Sequence, residues 1–274
     1  MATKDNAQPA TKKERREAAR EKARILREQE AKRRRRNKAL MIGAAVLVLA
    51  LIIFAIVQIV GKTNSADDNY KGTARAAKLA NVTDDYGIDV NAEGVAGKVV
   101  DGAGVLSVYS DYTCGGCINL ENQFADTYHA KAKEGSLSVR LYPVATLSNA
   151  VSDNATAAMF YVATYAPEQA WAYNDALFKR TADAVSRRGS APTVADFADI
   201  AAKVGVPTDV VNDLPASVSS EEWKAVATAA TESFRQKGYT ATPTLEVNGK
   251  VNDSWLKGGD IMAVIQSAID AGAK

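Results

Sequence analysis

The sequence predicts an α/β fold preceded by a single transmembrane helix. Three observations support this prediction: an uncharged apolar run at residues 39–60, a strand–helix–strand pattern around the two cysteines of the chain, and a long helical block followed by two strands and a helix. The predicted element order is therefore βαβ, helices, then ββα. The strands that flank the first helix belong to one βαβ unit, and we expect them to be parallel.

The chain has 274 residues, enough for one well-packed domain with appendages. Its composition changes along the sequence from strongly basic to apolar, then polar, then alternately strand-like and Ala-rich. The predicted parts are a basic tail (1–38), a transmembrane signal anchor (39–60), a linker (61–97), a first domain in two pieces (98–149 and 239–274) and a helical domain inserted between those pieces (150–238).

The apolar run "ALMIGAAVLVLALIIFAIVQIV" has the length of a membrane span. As a helix it is about 33 Å long, enough to cross a hydrocarbon core of about 30 Å. A buried helix of a soluble domain rarely stays apolar on all faces over six turns. A cleavable signal peptide has a shorter apolar region, and the "TNSADD" that follows is a poor cleavage site. We therefore expect a signal anchor.

The basic tail indicates how the chain is oriented in the membrane. Residues 1–38 contain 15 Lys or Arg against 6 Asp or Glu, whereas the remainder has 19 basic and 26 acidic residues. The positive-inside rule predicts a cytoplasmic tail and an extracytoplasmic domain on a single-pass chain. The tail could instead bind nucleic acid, but its alternating charges favour a solvated helix near anionic lipid headgroups.

The first βαβ unit surrounds the cysteine pair. Residues 104–112, "GVLSVYSDY", are β-rich, and 136–144, "SLSVRLYPV", alternate apolar and polar side chains, as strands do. Between them a helix is predicted from Cys114 to a stop at Gly135. A further short strand is expected near "YGIDV", at the end of the linker. The apolar residues at helical spacing are Ile118, Leu120, Phe124, Tyr128 and Ala132.

The second half of the chain predicts helices and then a hairpin. Residues 150–238 contain apolar-periodic segments that stop at Gly205 and Gly238. "TPTLEVNGKVND" follows, in which Asn248-Gly249 is a strong hairpin signal. A last helix, "DIMAVIQSAIDAG", completes the ββα unit. The residues suited to the first turns or caps of the helices are Pro167, the Thr of "TVADF", the Ser pair of "SSEEW" and Asp260.

Cys114 and Cys117, in "YTCGGCINL", allow three interpretations. A zinc site needs four ligands, but the chain offers no further cysteine and a single histidine, His129, for which we expect a surface or half-buried position without a role. A purely structural disulfide across so short a loop constrains the unfolded chain little. A redox pair suits an exported domain in an oxidising compartment, and it requires neither metal nor cofactor.

The predicted position of the pair explains how it could act. Cys114 lies where a strand meets a helix, and unpaired N–H groups with the positive end of the helix dipole stabilise a thiolate there. Cys117, three residues later, faces the same side of the first turn. Cys114 is therefore the predicted nucleophile, and Cys117 the partner that resolves a mixed disulfide. Asp111 precedes the pair, and we expect its carboxylate to be solvated.

"TATPTLEVNG" is a second candidate element. Pro243 lacks an N–H group and stands before a strand, where such a residue is tolerated. A cis Thr242–Pro243 bond would expose backbone for pairing with an extended substrate, whereas a trans loop proline is the alternative.

"YSDYTCGGC", the helical block and "GYTATPTLEVNGK" together resemble the DsbA-type branch of the thioredoxin superfamily, over about residues 100–272. The resemblance implies a thioredoxin fold with an inserted helical domain, with Cys114 as nucleophile and Cys117 as resolving cysteine. It also implies that Pro243 is the cis-proline, with Thr242 before it, facing the redox pair. Members with a basic tail and one span are similar to extracytoplasmic oxidoreductases of Gram-positive bacteria, including actinobacteria.

The dipeptide Gly115-Gly116 departs from the family pattern, in which Pro and His are common. Two glycines supply backbone N–H groups but no side-chain cation to stabilise a thiolate. The fold and the dithiol chemistry are still expected, whereas the strength of the disulfide as an oxidant stays open.

The sequence thus predicts a membrane-tethered thiol–disulfide oxidoreductase that exchanges its disulfide with exported cysteine-containing proteins, as a donor recharged by a membrane redox partner. A dithiol reductase or isomerase is one alternative. A non-enzymatic peptide-binding module with a passive disulfide is another.

Overall fold

A computed structural model describes residues 70–272 of the chain. The predicted basic tail, the transmembrane span and residues 61–69 of the predicted linker lie outside this range. Within 70–272, no helix combines the length and the apolar character needed to cross a membrane.

Five strands form one mixed sheet in the order β1-β3-β2-β4-β5. The central strands β2 and β3 are parallel, with Leu106 beside Val139, which confirms the predicted βαβ unit. All other neighbours are antiparallel. The strands are β1 (Ile88–Val90), β2 (Gly104–Ser110), β3 (Leu137–Pro143), β4 (Thr244–Val247) and β5 (Lys250–Val251).

Helix α1 (Gly115–Lys133) connects β2 to β3. Cys114 is its N-cap residue and has extended backbone angles, so the chain turns from strand to helix at the first cysteine. The C-terminal end falls just before Gly135, whose φ of 78° stops the helix as the sequence predicts. The buried face carries Cys117, Ile118, Leu120, Glu121, Tyr128 and Ala132.

Five α-helices and a short 3-10 helix (Pro167–Gln169) fill the interval between β3 and β4. Helix α2 lies at their centre, and its residues 155–163 are all buried, so this stretch is covered by protein on every side. Thr193 and Asp196 form a capping box, and the Ser220 hydroxyl caps the last helix of the group. The helices are α2 (Ala150–Tyr165), α3 (Ala170–Val185), α4 (Val194–Lys203), α5 (Thr208–Val218) and α6 (Glu221–Gln236).

The C-terminal ββα unit has the predicted hairpin. Asn248 and Gly249 connect β4 to β5 with φ angles of 47° and 76°, the left-handed values that a two-residue turn requires. Helix α7 (Ile261–Gly272) then packs against β2. The two segments approach so closely that a Cβ on Gly104 would lie 1.8 Å from the Ala268 carbonyl oxygen.

Part of the predicted linker packs against the helices. Residues 70–82, which we call the N-terminal strap, have no regular secondary structure but lie along α2, α5 and α6. The Arg75 backbone accepts a hydrogen bond from Trp223 Nε1 at 2.8 Å and donates one to Ser217 Oγ at 2.9 Å. Its guanidinium contacts Asp213 at 2.7 Å and Asp209 at 2.9 Å. The strap therefore belongs to the folded domain, a result that the polar composition of 61–97 did not indicate.

Replacing Arg75 by alanine should lower the free energy of unfolding by about 1–2 kcal/mol, because it leaves the half-buried Asp213 without its charged donor. Thermal or urea unfolding measures this loss. Lys224→Ala is the matched control, since Lys224 forms only an exposed pair with Glu221, and it should change stability by less than about 0.5 kcal/mol. Equal effects of the two substitutions would show that the strap contributes no more than an ordinary surface ion pair.

Candidate active site

The two cysteines lie at the N-terminus of α1, one half-buried and one buried. Cys114 is partly accessible, and its backbone N–H donates to the Asp111 carbonyl oxygen at 3.0 Å. Cys117, within the first turn, is completely buried. Both are free thiols in this structure. A substrate sulfur can therefore reach Cys114 but not Cys117.

The surroundings give the two thiols opposite acidities. The pKa of Cys114 is lowered from 9.0 to about 5, chiefly by the hydrogen bond from the Cys117 thiol, with further contributions from Thr242 and from the backbone N–H groups of Gly116 and Cys117, while burial opposes the shift. Burial raises the pKa of Cys117, and the neighbouring Cys114 raises it further. At neutral pH the reduced pair therefore holds one thiolate, on Cys114, and one proton, on Cys117.

The loop that carries Pro243 faces this pair. The Thr242–Pro243 peptide bond is cis. Cys114 Sγ lies 3.3 Å from the Thr242 carbonyl oxygen, across 128 positions of sequence. The structure therefore brings together the cysteines and the two residues of the loop that the sequence singled out.

The two glycines between the cysteines have different surroundings. A Cβ added to Gly115 would meet nothing within 4 Å. A Cβ added to Gly116 would lie 3.2 Å from Pro243 Cδ and 3.7 Å from Cys114 Sγ. Gly116 therefore lets the cis-proline loop approach the pair, whereas Gly115 does not affect that approach.

This difference predicts different outcomes for two alanine substitutions. Gly115→Ala should stabilise α1 by up to about 0.5 kcal/mol and leave the thiol chemistry unchanged. Gly116→Ala should displace Pro243 by a few tenths of an ångström and slow thiol exchange by about three- to tenfold, because the facing loop shifts relative to Cys114. Exchange rates with a small disulfide, measured beside thermal unfolding, distinguish the two. If both variants exchange at the wild-type rate, the approach of the loop does not limit the reaction.

Asp111 is not solvated, so the sequence-based expectation for it is wrong. Its side chain is fully buried at the end of β2. Four donors reach its carboxylate: Thr113 N–H at 2.8 Å, Thr113 Oγ1 at 2.9 Å, Leu147 N–H at 2.9 Å and Thr146 Oγ1 at 3.2 Å. The Asp-x-Thr spacing is typical of a local turn in which Asp binds the backbone two residues later, and that signal could have indicated the burial.

Glu121 is a buried acid that the sequence reading missed. It lies four residues after Cys117, on the same face of α1, and is hydrogen-bonded by the Tyr128 hydroxyl. Burial raises the pKa of Glu121 to about 8, the Tyr128 hydrogen bond opposes the shift, and the charge of Asp175 adds to it. A carboxyl group with this pKa can take up or release a proton near neutral pH. Its place in the apolar stripe of α1 is the signal that could have identified it.

His129 lies outside the site, in the second half of α1. Its side chain is 29% exposed, its Nε2 lies 3.5 Å from Asp175 Oδ1 and its ring packs against Trp171. The half-buried position agrees with the sequence-based expectation.

One accessible, acidified thiol beside one buried, protonated thiol is the arrangement that thiol–disulfide exchange requires. Here the pair lies at the first turn of the βαβ helix, and a cis-proline loop covers it. Fold and site together define a thiol–disulfide oxidoreductase. Residues 101–267 match the family model for thioredoxin, and the chain belongs to that family.

Solved structures agree with this assignment. The MdbA protein of Actinomyces oris, a thiol-disulfide oxidoreductase, is 25% identical, with a TM-score of 0.58 over 68% of this chain and 90% of that one. The MdbA protein of Corynebacterium diphtheriae is 22% identical, with a TM-score of 0.51 over 70% and 97%. BdbD from Bacillus subtilis is 18% identical, with a TM-score of 0.52 over 62% and 89%. The last two support the fold alone. No curated protein sequence matches the chain.

Proposed function

We propose that this protein is a membrane-tethered, extracytoplasmic thiol–disulfide oxidoreductase that donates its Cys114–Cys117 disulfide to exported proteins. The observation that carries the donor direction is the low pKa of Cys114, about 5. A stable thiolate stabilises the reduced enzyme, so the transfer of the disulfide from the oxidised enzyme to a substrate is energetically favourable. Backbone N–H groups and the Cys117 thiol supply this stabilisation, and no side-chain cation is needed in the Gly-Gly dipeptide.

The two thiols divide the reaction between them. A substrate thiolate attacks Cys114 Sγ, the Cys114–Cys117 bond breaks, and the departing Cys117 sulfur takes up a proton because its pKa is raised. A second substrate thiolate then attacks the substrate sulfur of the mixed disulfide, and Cys114 leaves as a thiolate. The substrate loses two electrons and the enzyme gains them. Low thiol pKa makes Cys114 a good leaving group in this last step.

The tether and the location rest on the sequence. The charge-free run 39–60 after a basic tail supports a single span with the catalytic domain outside, where disulfides persist. The tail would then lie near anionic lipid, and a membrane redox partner would reoxidise Cys114 and Cys117. Protease added to intact cells should cleave the domain and spare residues 1–38; the reverse pattern would refute the topology.

The donor activity is tested by mixing the oxidised full-length chain with a reduced, unfolded protein that contains two cysteines. One disulfide should appear in the substrate for each one lost by the enzyme. At equilibrium most of the disulfide should be in the substrate and most of the enzyme should be reduced. A dithiol reductase or isomerase would leave most of the enzyme oxidised, and a passive module would exchange no faster than oxidised glutathione at the same concentration.

A further inference from the structure

A chain of hydrogen bonds connects the buried Asp111 carboxylate to the loop that covers the redox pair. Thr146, in the segment after β3, lies 3.2 Å from Asp111 Oδ2 through its Oγ1. The same Oγ1 lies 3.3 Å from Thr242 Oγ1. Thr242 is also the residue whose carbonyl oxygen lies 3.3 Å from Cys114 Sγ. The three side chains therefore form a path from the end of β2 to Thr242, whose backbone carbonyl contacts the reacting sulfur.

The chemistry of the donors fixes the direction of this path. An ionised carboxylate only accepts hydrogen bonds, whereas each threonine hydroxyl has one proton to give. Because the Thr146 proton goes to Asp111, the Thr242 hydroxyl must donate to Thr146 Oγ1. Both threonine side chains are then held in one rotamer by an acceptor that is itself fixed by three other donors.

Asp111 is well suited to be that fixed acceptor. The N–H groups of Thr113 and Leu147 bind one carboxylate oxygen each, at 2.8 and 2.9 Å, so the group is anchored on the backbone of two segments. Charge-assisted hydrogen bonds of this kind are stronger than neutral ones, and the burial of Asp111 excludes competing water. Burial raises the pKa of the Asp153 carboxyl, and the negative charge of Asp111 adds to this shift.

We propose that Asp111 and Thr146 are positioning residues for the thiol–disulfide exchange: they hold Thr242 beside Cys114, and with it the cis-proline loop. This inference rests on the proposed function, because a fixed Thr242 matters only if Cys114 reacts. Neither residue touches the reacting sulfur. Their effect is transmitted through Thr242: Thr146 engages the proton of the Thr242 hydroxyl, and the Thr242 carbonyl oxygen lies 3.3 Å from Cys114 Sγ.

Thr146→Val tests the proposal without changing charge or shape. The Cys114 pKa in the reduced full-length chain is obtained from the pH dependence of its alkylation by iodoacetamide, with the alkylated cysteine identified by mass spectrometry. Loss of the bridge frees the Thr242 hydroxyl to donate to the Cys114 thiolate and should lower this pKa by about half a unit to one unit. Thr146→Ser keeps the hydroxyl and should restore the wild-type value. Thr113→Val is the matched control, since Thr113 donates to the same carboxylate but does not contact the Thr242 hydroxyl, and it should leave the pKa unchanged.

A double variant adds a second criterion. If Thr146 acts through the Thr242 hydroxyl, Thr146→Val in a Thr242→Val background should cause no further shift. The proposal is overturned if Thr146→Val leaves the Cys114 pKa unchanged or raises it, if Thr113→Val shifts it equally, or if the two shifts simply add. These measurements use no protein substrate. A wild-type chain that fails to oxidise a substrate protein would therefore count against the proposed function alone.

Discussion

Replacing Cys114 by serine should abolish disulfide transfer, by at least about three orders of magnitude. Serine has a hydroxyl group in place of the thiol, so it forms neither a thiolate nor a disulfide. Cys117 does not substitute for it, because it is buried and burial raises the pKa of its thiol. The measurement is the rate at which the full-length chain oxidises a reduced two-cysteine protein. A Cys114→Ser variant that retains activity would overturn the assignment of the nucleophile.

Replacing Cys117 should have a different effect. Cys117→Ala leaves the accessible Cys114 thiol in place but removes the sulfur that resolves mixed disulfides. When the variant is mixed with a protein that already contains a disulfide, the Cys114 thiolate attacks that disulfide, one substrate sulfur leaves as a thiol, and no Cys117 thiol is present to release the adduct. Mixed disulfides through Cys114 should therefore accumulate and should separate on reduction. Cys114→Ser is the matched control, because it retains Cys117 and should trap nothing. Equal trapping by both variants would mean that Cys117 is also accessible to substrates.

Cys117→Ala should also make Cys114 less acidic, since the Cys117 thiol is the largest cause of its lowered pKa. The trapped adducts therefore form more slowly at pH 6 than at pH 8.

The elements that the sequence predicted correctly are those set by local patterns. A β-rich run identified β2, alternation identified β3, apolar spacing identified α1, and Asn248-Gly249 identified the hairpin. The parallel pairing of β2 with β3 followed from the crossover helix between them, because connection geometry permits few other arrangements.

The predictions that failed, or were absent, concern polar residues whose partners are distant in sequence. Asp111 reads as a surface acid until Thr146 and Leu147, 35 and 36 positions away, supply donors. Glu121 interrupts an apolar stripe, and its burial follows from the packing of α1. Charge normally indicates exposure, and a buried carboxyl becomes favourable only when the tertiary structure places donors around it. The amino-acid composition does not indicate where those donors lie in the folded chain.

The acidity of Cys114 also depends on the tertiary structure. Its main causes are another thiol, a loop distant in sequence and backbone N–H groups. Gly-Gly gave no reason to expect a strong oxidant. In the structure, hydrogen bonds from the Cys117 thiol and from backbone N–H groups take the place of the missing side-chain cation. Gly116 contributes by having no Cβ, which lets the cis-proline loop approach the pair closely. The acidity of Cys114 is therefore a property of the tertiary structure.

The reduction potential should lie well above the value of about −270 mV typical of thioredoxin, and its pH dependence should change slope near pH 5. Below the Cys114 pKa, reduction takes up two protons, and the potential should fall by about 60 mV per pH unit. Above it only Cys117 is protonated, and the slope should be about 30 mV. Because the Cys114 pKa is lower in the folded chain than in the unfolded chain, ionisation of Cys114 stabilises the reduced fold. This stabilisation is complete at a pH above the unfolded thiol pKa and is lost as the pH falls through 5.

Equilibration with glutathione buffers over a range of pH, followed by alkylation and mass analysis of the reduced fraction, measures both quantities. The same chain in denaturant is the control, because its thiols titrate at ordinary values and its slope should change near pH 8.5 instead. A folded chain with one slope of about 60 mV from pH 4 to pH 8 would mean that Cys114 stays protonated at neutral pH. The thiolate would then no longer favour the reduced enzyme, and the reductase or isomerase direction would replace donation as the better account of the site.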